Sequence, residues 1–315
     1  MAPRSPPSAA ARWAKPRPAN WRVLPLLLLL ISAASLLLAI GFLRAASGGV
    51  LRRANALGRQ CAPGLEGSSG GEDGAGHRRR IAMVSFSDEG EGQGRSFRGV
   101  WNAVAENKQA YAARMRYVFV DAGEMVDHSR PPSWSKILAV RSQLPQYDWV
   151  FWNDADTMVM NPAISLESIL YAAIGHTNLD ASPDLVVTED TNGVNAGVFF
   201  VRRSEWSDKF LQTWWNQTSF VRFGSTKSGD NDALKHLLRT LTAEELGAHV
   251  AVSPAQCLFN SYPWVPTLKS LHRLFTSPRA TWNGVYSDGD FLVHLAGLDD
   301  KKKWLINMLD EMRPV

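Results

Sequence analysis

Tyr147-Asp148-Trp149-Val150-Phe151-Trp152-Asn153-Asp154-Ala155-Asp156 is an apolar, aromatic run that stops at two carboxylates one residue apart. The apolar block from Trp149 to Trp152 reads as a strand buried on both faces. Aspartates just past the carboxyl end of such a strand stand where open α/β sheets place their ligands. Asp is an oxygen donor suited to hard cations such as Mg²⁺ or Mn²⁺, so the pair marks a candidate metal and anion site. The spacing alone decides little. Asp-x-Asp recurs at Asp230/Asp232 and Asp288/Asp290, and the ordinary reading of such a pair is a solvated turn. The buried strand before Asp154 sets the first pair apart.

Outward from that strand, extended and helical segments alternate. Ile81 to Phe86, Tyr117 to Val120, Leu185 to Thr188, Gly197 to Val201 and Phe291 to Leu295 read as further strands. Helices are expected over Phe97 to Met115, from Ser133 to Leu144-Pro145, and over Ser204 to Trp215, Asp230 to Leu241 and Lys301 to Met312. Ser87 to Gly94 reads as a Gly- and acid-rich loop. The alternation predicts an α/β domain with a mostly parallel sheet flanked by helices.

Residues 23–43 carry no charged side chain and, as a helix, reach roughly 30 Å, the thickness of a bilayer core. This stretch is expected to be a transmembrane anchor, with cleavage after Ala45-Ala46 as the alternative. Arg4, Arg12, Lys15, Arg17 and Arg22 precede it, and Arg44, Arg52, Arg53 and Arg59 follow it. The charge bias is therefore small, but it favours residues 1–22 as a cytoplasmic tail and the remainder as lumenal. Asn216-Gln217-Thr218 is an N-glycosylation acceptor consistent with that topology. Residues 44–80, with Gly67-Ser68-Ser69-Gly70-Gly71 near the centre, read as a flexible stem. Residues 81–315 suffice for one globular domain. Two cysteines exclude a disulfide framework. Cys61 is expected either to link two chains or to remain a free thiol. The net charge of +4 is too small and dispersed to argue for nucleic acid.

Several spaced groups join the central run: Asn107-Lys108 with Tyr111-Ala112, Trp134-x-Lys136 with Arg141, Met160-Asn161-Pro162, and Asn195-x-Gly197 with Phe199 or Phe200. Then come Trp206, Trp214, Asp230-Asn231-x-Ala233-Leu234, Gln256 with Asn260-Ser261-Tyr262-Pro263, and Gly289-Asp290-Phe291-x-x-His294-x-x-Gly297. In order and spacing, from about Ile81 to Leu298, the chain resembles the galactosyl/mannosyl/xylosyl-transferase family (GMA12/MNN10, glycosyltransferase family 34) of type II Golgi membrane proteins. The resemblance implies a GT-A fold as a single catalytic domain behind one transmembrane helix. It also implies Mn²⁺ or Mg²⁺, a nucleotide-sugar donor, a glycan or glycoprotein acceptor, and transfer with retention of the α configuration. Two departures stand out: Asn231 where Gln is common, and Asp299-Asp300 before Lys301 where some plant members carry Lys.

On that resemblance Asp154, Asp156 and His294 are the expected metal ligands. Ser85, Lys136, Arg141, Asp154, Asn195 and Gly197 are assigned to the donor, Lys136 and Arg141 either to its diphosphate or to orienting Asp154. Five residues of helix turn Lys136 and Arg141 about 140° apart, so they do not grip one phosphate together. Asp190, Asp230 and Asn231 are the catalytic candidates, Asp230 having a helix N-cap as its alternative role. Gln256, Asn260 and Tyr262 are expected in the acceptor cleft. Gly197 is expected to serve donor or backbone geometry. Asn107, Lys108 and Tyr111 are left between site and core. The sugar stays open between galactose, xylose and mannose, with UDP-galactose favoured, and a homo- or hetero-oligomer is compatible with the chain. The non-enzymatic alternative is a catalytically silent glycan-binding or scaffold subunit of a Golgi complex.

Overall fold

The computed structural model describes residues 23–59, 61, 79–88, 101–181, 183–224 and 227–312. The chain divides into two units, Met1–Ser47 and Gly48–Val315. In the first, an apolar helix opens at Val23. This helix, α1 (Val23–Arg52), is long and apolar enough to cross a membrane.

The second unit contains β1 (Ile81–Ser85), α2 (Trp101–Met115), β2 (Val118–Asp121), α3 (Ser135–Gln143), β3 (Trp149–Asn153), β4 (Thr157–Val159), α4 (Leu166–Ile174), β5 (Leu185–Asp190), β6 (Gly193–Arg202), α5 (Glu205–Trp215), α6 (Asp230–Thr240), α7 (Ala243–His249), β7 (Val250–Val252), α8 (Leu268–Thr276), α9 (Pro278–Gly284), β8 (Leu292–His294) and α10 (Lys301–Met312). The expected helix start at Phe97 and most of the Ser87 to Gly94 loop lie outside the described residues.

Six strands form one sheet in the order β2-β1-β3-β6-β5-β7, and β4 pairs antiparallel with β8. The pairs β1/β2, β1/β3 and β5/β7 are parallel, whereas β6 runs antiparallel to β3 and β5. This is the mostly parallel α/β arrangement expected of a GT-A domain. β3 is central, and every residue of it is buried. Its side chains alternate between two cores. Val150 and Trp152 pack with α3, α5 and α6, and Trp149 and Phe151 pack with α4 and Phe291. A strand covered on both faces gives the continuous apolar run read from the sequence.

Residues 48–59 and Cys61 depart from the expected flexible stem. α1 continues to Arg52, and Leu51, Ala54, Arg59 and Cys61 are buried. Cys61 is bonded to Cys257. That pairing replaces both sequence readings of Cys61, the interchain link and the free thiol. The rest of the expected stem, residues 62–78, lies outside the described residues.

Candidate active site

The site begins where β3 ends. Antiparallel pairing sets Asn153 opposite Val198 of β6, and the Asp154 amide donates to the Gly197 carbonyl at 2.8 Å. The β5/β6 register shifts at Val187/Thr188. Such an irregularity bends the local strand and redirects its side chains, and here it carries residues 195–197 beneath Asp154. On the other side the β4/β8 ladder pairs Thr157 with His294. One carboxylate or imidazole atom from each of Asp154, Asp156 and His294 lies within 4.8 Å of the others. Donors on one small octahedral cation sit about 3 Å apart when adjacent and about 4 Å when opposite, so the cluster is somewhat wider than a closed metal site and would draw in around an ion.

Hydrogen bonds fix how each of these groups is presented. Oδ1 of Asp154 accepts from Lys136 Nζ at 3.0 Å and from Trp152 Nε1 at 2.8 Å. Among the described residues its Oδ2 takes no hydrogen bond and lies on the side of Gly197 and His294. Asp156 accepts from Lys301 at Oδ2, while its Oδ1 stands 3.4 Å from His294 Nε2. Burial disfavours the Asp156 charge, but Lys301 and then His294 hold its pKa well below the carboxylate range.

The His294 tautomer follows from a backbone amide two steps away. The Gly197 N–H donates to Asn195 Oδ1 at 2.9 Å, which fixes the Asn195 amide. Asn260 Nδ2 donates to that same oxygen at 3.3 Å and to Thr188 Oγ1 at 2.7 Å. Asn260 Oδ1 must therefore face His294 Nδ1, 2.7 Å away, so Nδ1 carries the proton. Nε2 is then the ring nitrogen left facing the carboxylates, the orientation in which an imidazole ligates a metal. The three residues fit a divalent ion of the Mn²⁺ or Mg²⁺ class by donor chemistry and by this orientation. Asn260→Leu should weaken Mn²⁺ binding by about 10–100-fold, as measured by titrating the folded variant with Mn²⁺.

The remaining expected residues divide into those near the cluster and those committed elsewhere. Tyr262 packs edge-on against the His294 ring, with centroids 5.5 Å apart. Its hydroxyl donates to Asp190 Oδ2 at 2.7 Å and accepts from Asn195 Nδ2 at 2.9 Å. Burial and the Asp190 charge push the Tyr262 pKa well above the usual phenol range, so the phenol stays protonated. Asp190 is half-buried and is the carboxylate beside this network.

Lys136 is 3 % exposed and bridges Asp154 and Asp230, 3.1 Å from Asp230 Oδ2. It therefore orients Asp154, the second of its two expected roles. Burial works against its ammonium, but Asp154 and Asp230 outweigh burial and raise its pKa. Asp230 is the first residue of α6, and Gly229, not Asp230, is the N-cap. Its carboxylate is buried and also accepts from Ser228 and Ser133, which leaves it a partner of Lys136. Asn231 Oδ1 accepts the Ala196 amide at 2.7 Å and so props β6.

Other expectations are corrected. Arg141 bonds Asp208 and Gln212 on α5, away from the cluster, because its turn of α3 faces the opposite side from Lys136. Ser85 is fully buried and its hydroxyl accepts from Lys108 Nζ at 2.8 Å, so it does not face a nucleotide. Gln256 donates to the Asn260 carbonyl at 2.9 Å. Asn260 is fully buried behind His294. These two support the site and do not line an acceptor cleft.

Two cations escaped firm assignment from the sequence. Lys108 is fully buried and donates to Ser85 and to the Asp154 carbonyl. Burial pushes its ammonium down to about 7, against the pull of Asp156, Asp154 and Asp121. Its signal was the Asn107-Lys108 pair. Asn107 ties α2 to β4 through both Val159 backbone groups, and Tyr111 is core, donating to the Ile164 carbonyl. Lys301, at the start of α10, reaches Asp156 although its sequence position departs from some plant relatives.

Known proteins are similar in sequence over about two thirds of the chain. A probable α-1,6-mannosyltransferase, MNN10, of Saccharomyces cerevisiae is 23 % identical over 261 residues, covering 69 % of this chain and 61 % of the relative. A Schizosaccharomyces pombe protein described as an uncharacterized α-1,2-galactosyltransferase is 26 % identical over 222 residues, covering 61 % of each. The chain thus spans about three fifths of the length of these curated relatives. A solved glycosyltransferase involved in glycosylation of the major capsid of PBCV-1 matches with a TM-score of 0.45 at 13 % identity, over 74 % of this chain and 98 % of that one. The galactosyl transferase GMA12/MNN10 family model matches residues 77–304, a span that includes Asp154, Asp156 and His294, and to this family the chain belongs.

Proposed function

We propose that the protein is a metal-dependent, retaining α-glycosyltransferase. It moves a hexose or pentose from a nucleotide sugar to a glycan or glycoprotein acceptor in the Golgi lumen, anchored by α1 as a type II membrane protein. The observation that supports this most is the Asp154, Asp156 and His294 cluster, whose imidazole is held through Nδ1 by Asn260 and turns Nε2 toward the carboxylates. Mn²⁺ or Mg²⁺ held there would neutralise the charge of a departing diphosphate.

The chain's own residues prepare that chemistry. Lys136 and Trp152 occupy one oxygen of Asp154 and leave the other for a ligand. Asn260 holds the His294 ring with Nε2 toward the carboxylates. Lys301 adds positive charge beside Asp156, and Lys108 holds the Asp154 backbone carbonyl, in a site that receives an anion. Asp230 is spent on Lys136, so the mechanism that fits best is front-face transfer, in which a departing phosphate oxygen accepts the acceptor hydroxyl proton. Asp190 is the carboxylate on which a double displacement would build a glycosyl-enzyme, and trapping such an adduct would favour that route. Asn216 is exposed at the end of α5, a placement compatible with glycosylation.

The donor reading is UDP-galactose or UDP-xylose over GDP-mannose. A thermal-shift comparison of the full-length protein with UDP and GDP, each with and without Mn²⁺, tests it. A nucleotide at 100 times its Kd stabilises by about 2.7 kcal/mol. Stabilisation by UDP only when Mn²⁺ is present is the expected result. The same result with GDP would move the donor to GDP-mannose. No shift with either nucleotide on folded protein would replace the enzyme with the silent glycan-binding subunit.

A further inference from the structure

The Asp290 carboxylate is fully buried in the segment leading into β8, and its cation comes from beside the membrane span. Arg59 presents Nη2 to both Asp290 oxygens, with side-chain exposures of 2 % and 0 %. The Arg59 fork is itself held by Asn55 Oδ1 at 2.9 Å, by the Trp282 carbonyl at 3.1 Å and by the Val285 carbonyl. Two residues on, Cys61 is bonded to Cys257. Arg59 is thus fixed on both sides, and a planar guanidinium is the group suited to a buried carboxylate.

Asp290 passes this restraint to the site. Its Oδ2 accepts from Ser261 Oγ at 2.8 Å and from the Ser287 amide at 2.9 Å. The Ser261 carbonyl accepts the His294 amide at 2.7 Å, and the preceding residue, Asn260, sets the His294 tautomer. Segments 260–262 and 290–294 are therefore cross-tied by one carboxylate whose only buried cation among the described residues is Arg59.

We infer that Arg59 is a positioning residue for His294, and that residues 51–61, beside the anchor, are a working part of the metal site. This rests on the reading of Asp154, Asp156 and His294 as metal ligands. Arg59 touches no reacting atom; it acts through Asp290 and Ser261. Were Asp290 left without its cation, the buried charge would draw water or a new partner, and the Ser261 hinge would lose its register against β8.

The test uses the full-length protein in detergent micelles. Backbone hydrogen exchange over residues 291–295 and Mn²⁺ affinity are measured for the wild type, Arg59→Met, Arg59→Lys and Ser261→Ala. In Arg59→Met, exchange should accelerate at Leu292 to His294 while β3 stays protected, and the Mn²⁺ Kd should rise about tenfold, the effect of losing an outer-shell restraint. Arg59→Lys should recover part of both. Unchanged exchange and Kd in folded Arg59→Met would overturn the proposal. If Arg59→Met does not fold, Ser261→Ala decides, since it cuts the link beyond the ion pair; wild-type values there would equally overturn it. A wild type that binds no Mn²⁺ would overturn the metal reading, and the exchange data would then decide the coupling alone.

Discussion

Gly197→Ala should abolish sugar transfer as fully as Asp156→Ala, by the opposite route. Asp156→Ala removes a ligand. Gly197→Ala pushes ligands away. A Cβ at position 197 would stand 2.3 Å from His294 Cε1, 3.0 Å from Asn195 Oδ1 and 3.1 Å from Asp154 Oδ2. None of these groups can yield. His294 lies on β8 against Tyr262, Asn195 carries the bonds that set the tautomer, and Asp154 is pinned by Lys136 and Trp152. Gly197 does not have a positive φ, so alanine meets no backbone strain and only the space is forbidden. A displacement of about 1 Å in such a site costs about 100-fold in rate, and overpacking costs about 1–3 kcal/mol in stability. The expected result is therefore a folded Gly197→Ala protein whose melting point drops by a few degrees and whose Mn²⁺-dependent turnover falls by about 100-fold or more. Asp156→Ala should also lose Mn²⁺ binding in a direct titration. Near wild-type turnover in Gly197→Ala would mean that His294 does not sit against that backbone in the working enzyme.

The strand ending at Asp154 was legible because burial on both faces leaves an unbroken apolar run. His294 was legible through the family spacing that ends in His294-x-x-Gly297, and the divergence of Lys136 and Arg141 followed from helix rotation alone. What could not be read was which polar group takes which partner. Ser85 and Lys108 meet across 23 positions, Asn260 and His294 across 34, and Lys301 and Asp156 across 145. No local period encodes such pairings; they exist only once the sheet has brought the strands together. Asn260 looked like an acceptor ligand for that reason, since a polar residue in a spaced motif reads the same whether it faces a substrate or a histidine. Gly197 was assigned to the donor or to backbone geometry, whereas the structure gives it the ring it leaves room for.

The first part of the expected stem departs from its reading for a related reason. Its Gly, Ser, Ala and Arg content signals a chain unable to build its own core, and residues 52–59 and Cys61 are indeed held by others, through Asp288, Asp290, Val285 and Cys257 of the same unit. Breaking that arrangement should produce the largest stability loss in the molecule. The Cys61–Cys257 bond joins positions 196 apart, and closing so long a loop restricts the unfolded chain strongly, so that removing such a bond costs about 2–5 kcal/mol. A fragment starting at Ile81 loses more. It lacks Cys61, and it leaves Asp290 buried without Arg59, a break that costs about 3–5 kcal/mol by itself. Together these approach the whole stability of an ordinary domain, about 5–15 kcal/mol. Full-length Cys257→Ser, or the wild type under reductant, should therefore unfold at markedly lower denaturant than the oxidised wild type. The Ile81 fragment should be largely unfolded or insoluble, whereas a fragment starting at Gly48 should keep the wild-type midpoint. Equal midpoints for the Gly48 and Ile81 fragments would show that residues 48–80 contribute nothing to the stability of the larger unit. The inference drawn for Arg59 would lose its footing with it, because a segment whose removal leaves the fold unchanged cannot be what holds Asp290, Ser261 and His294 in register.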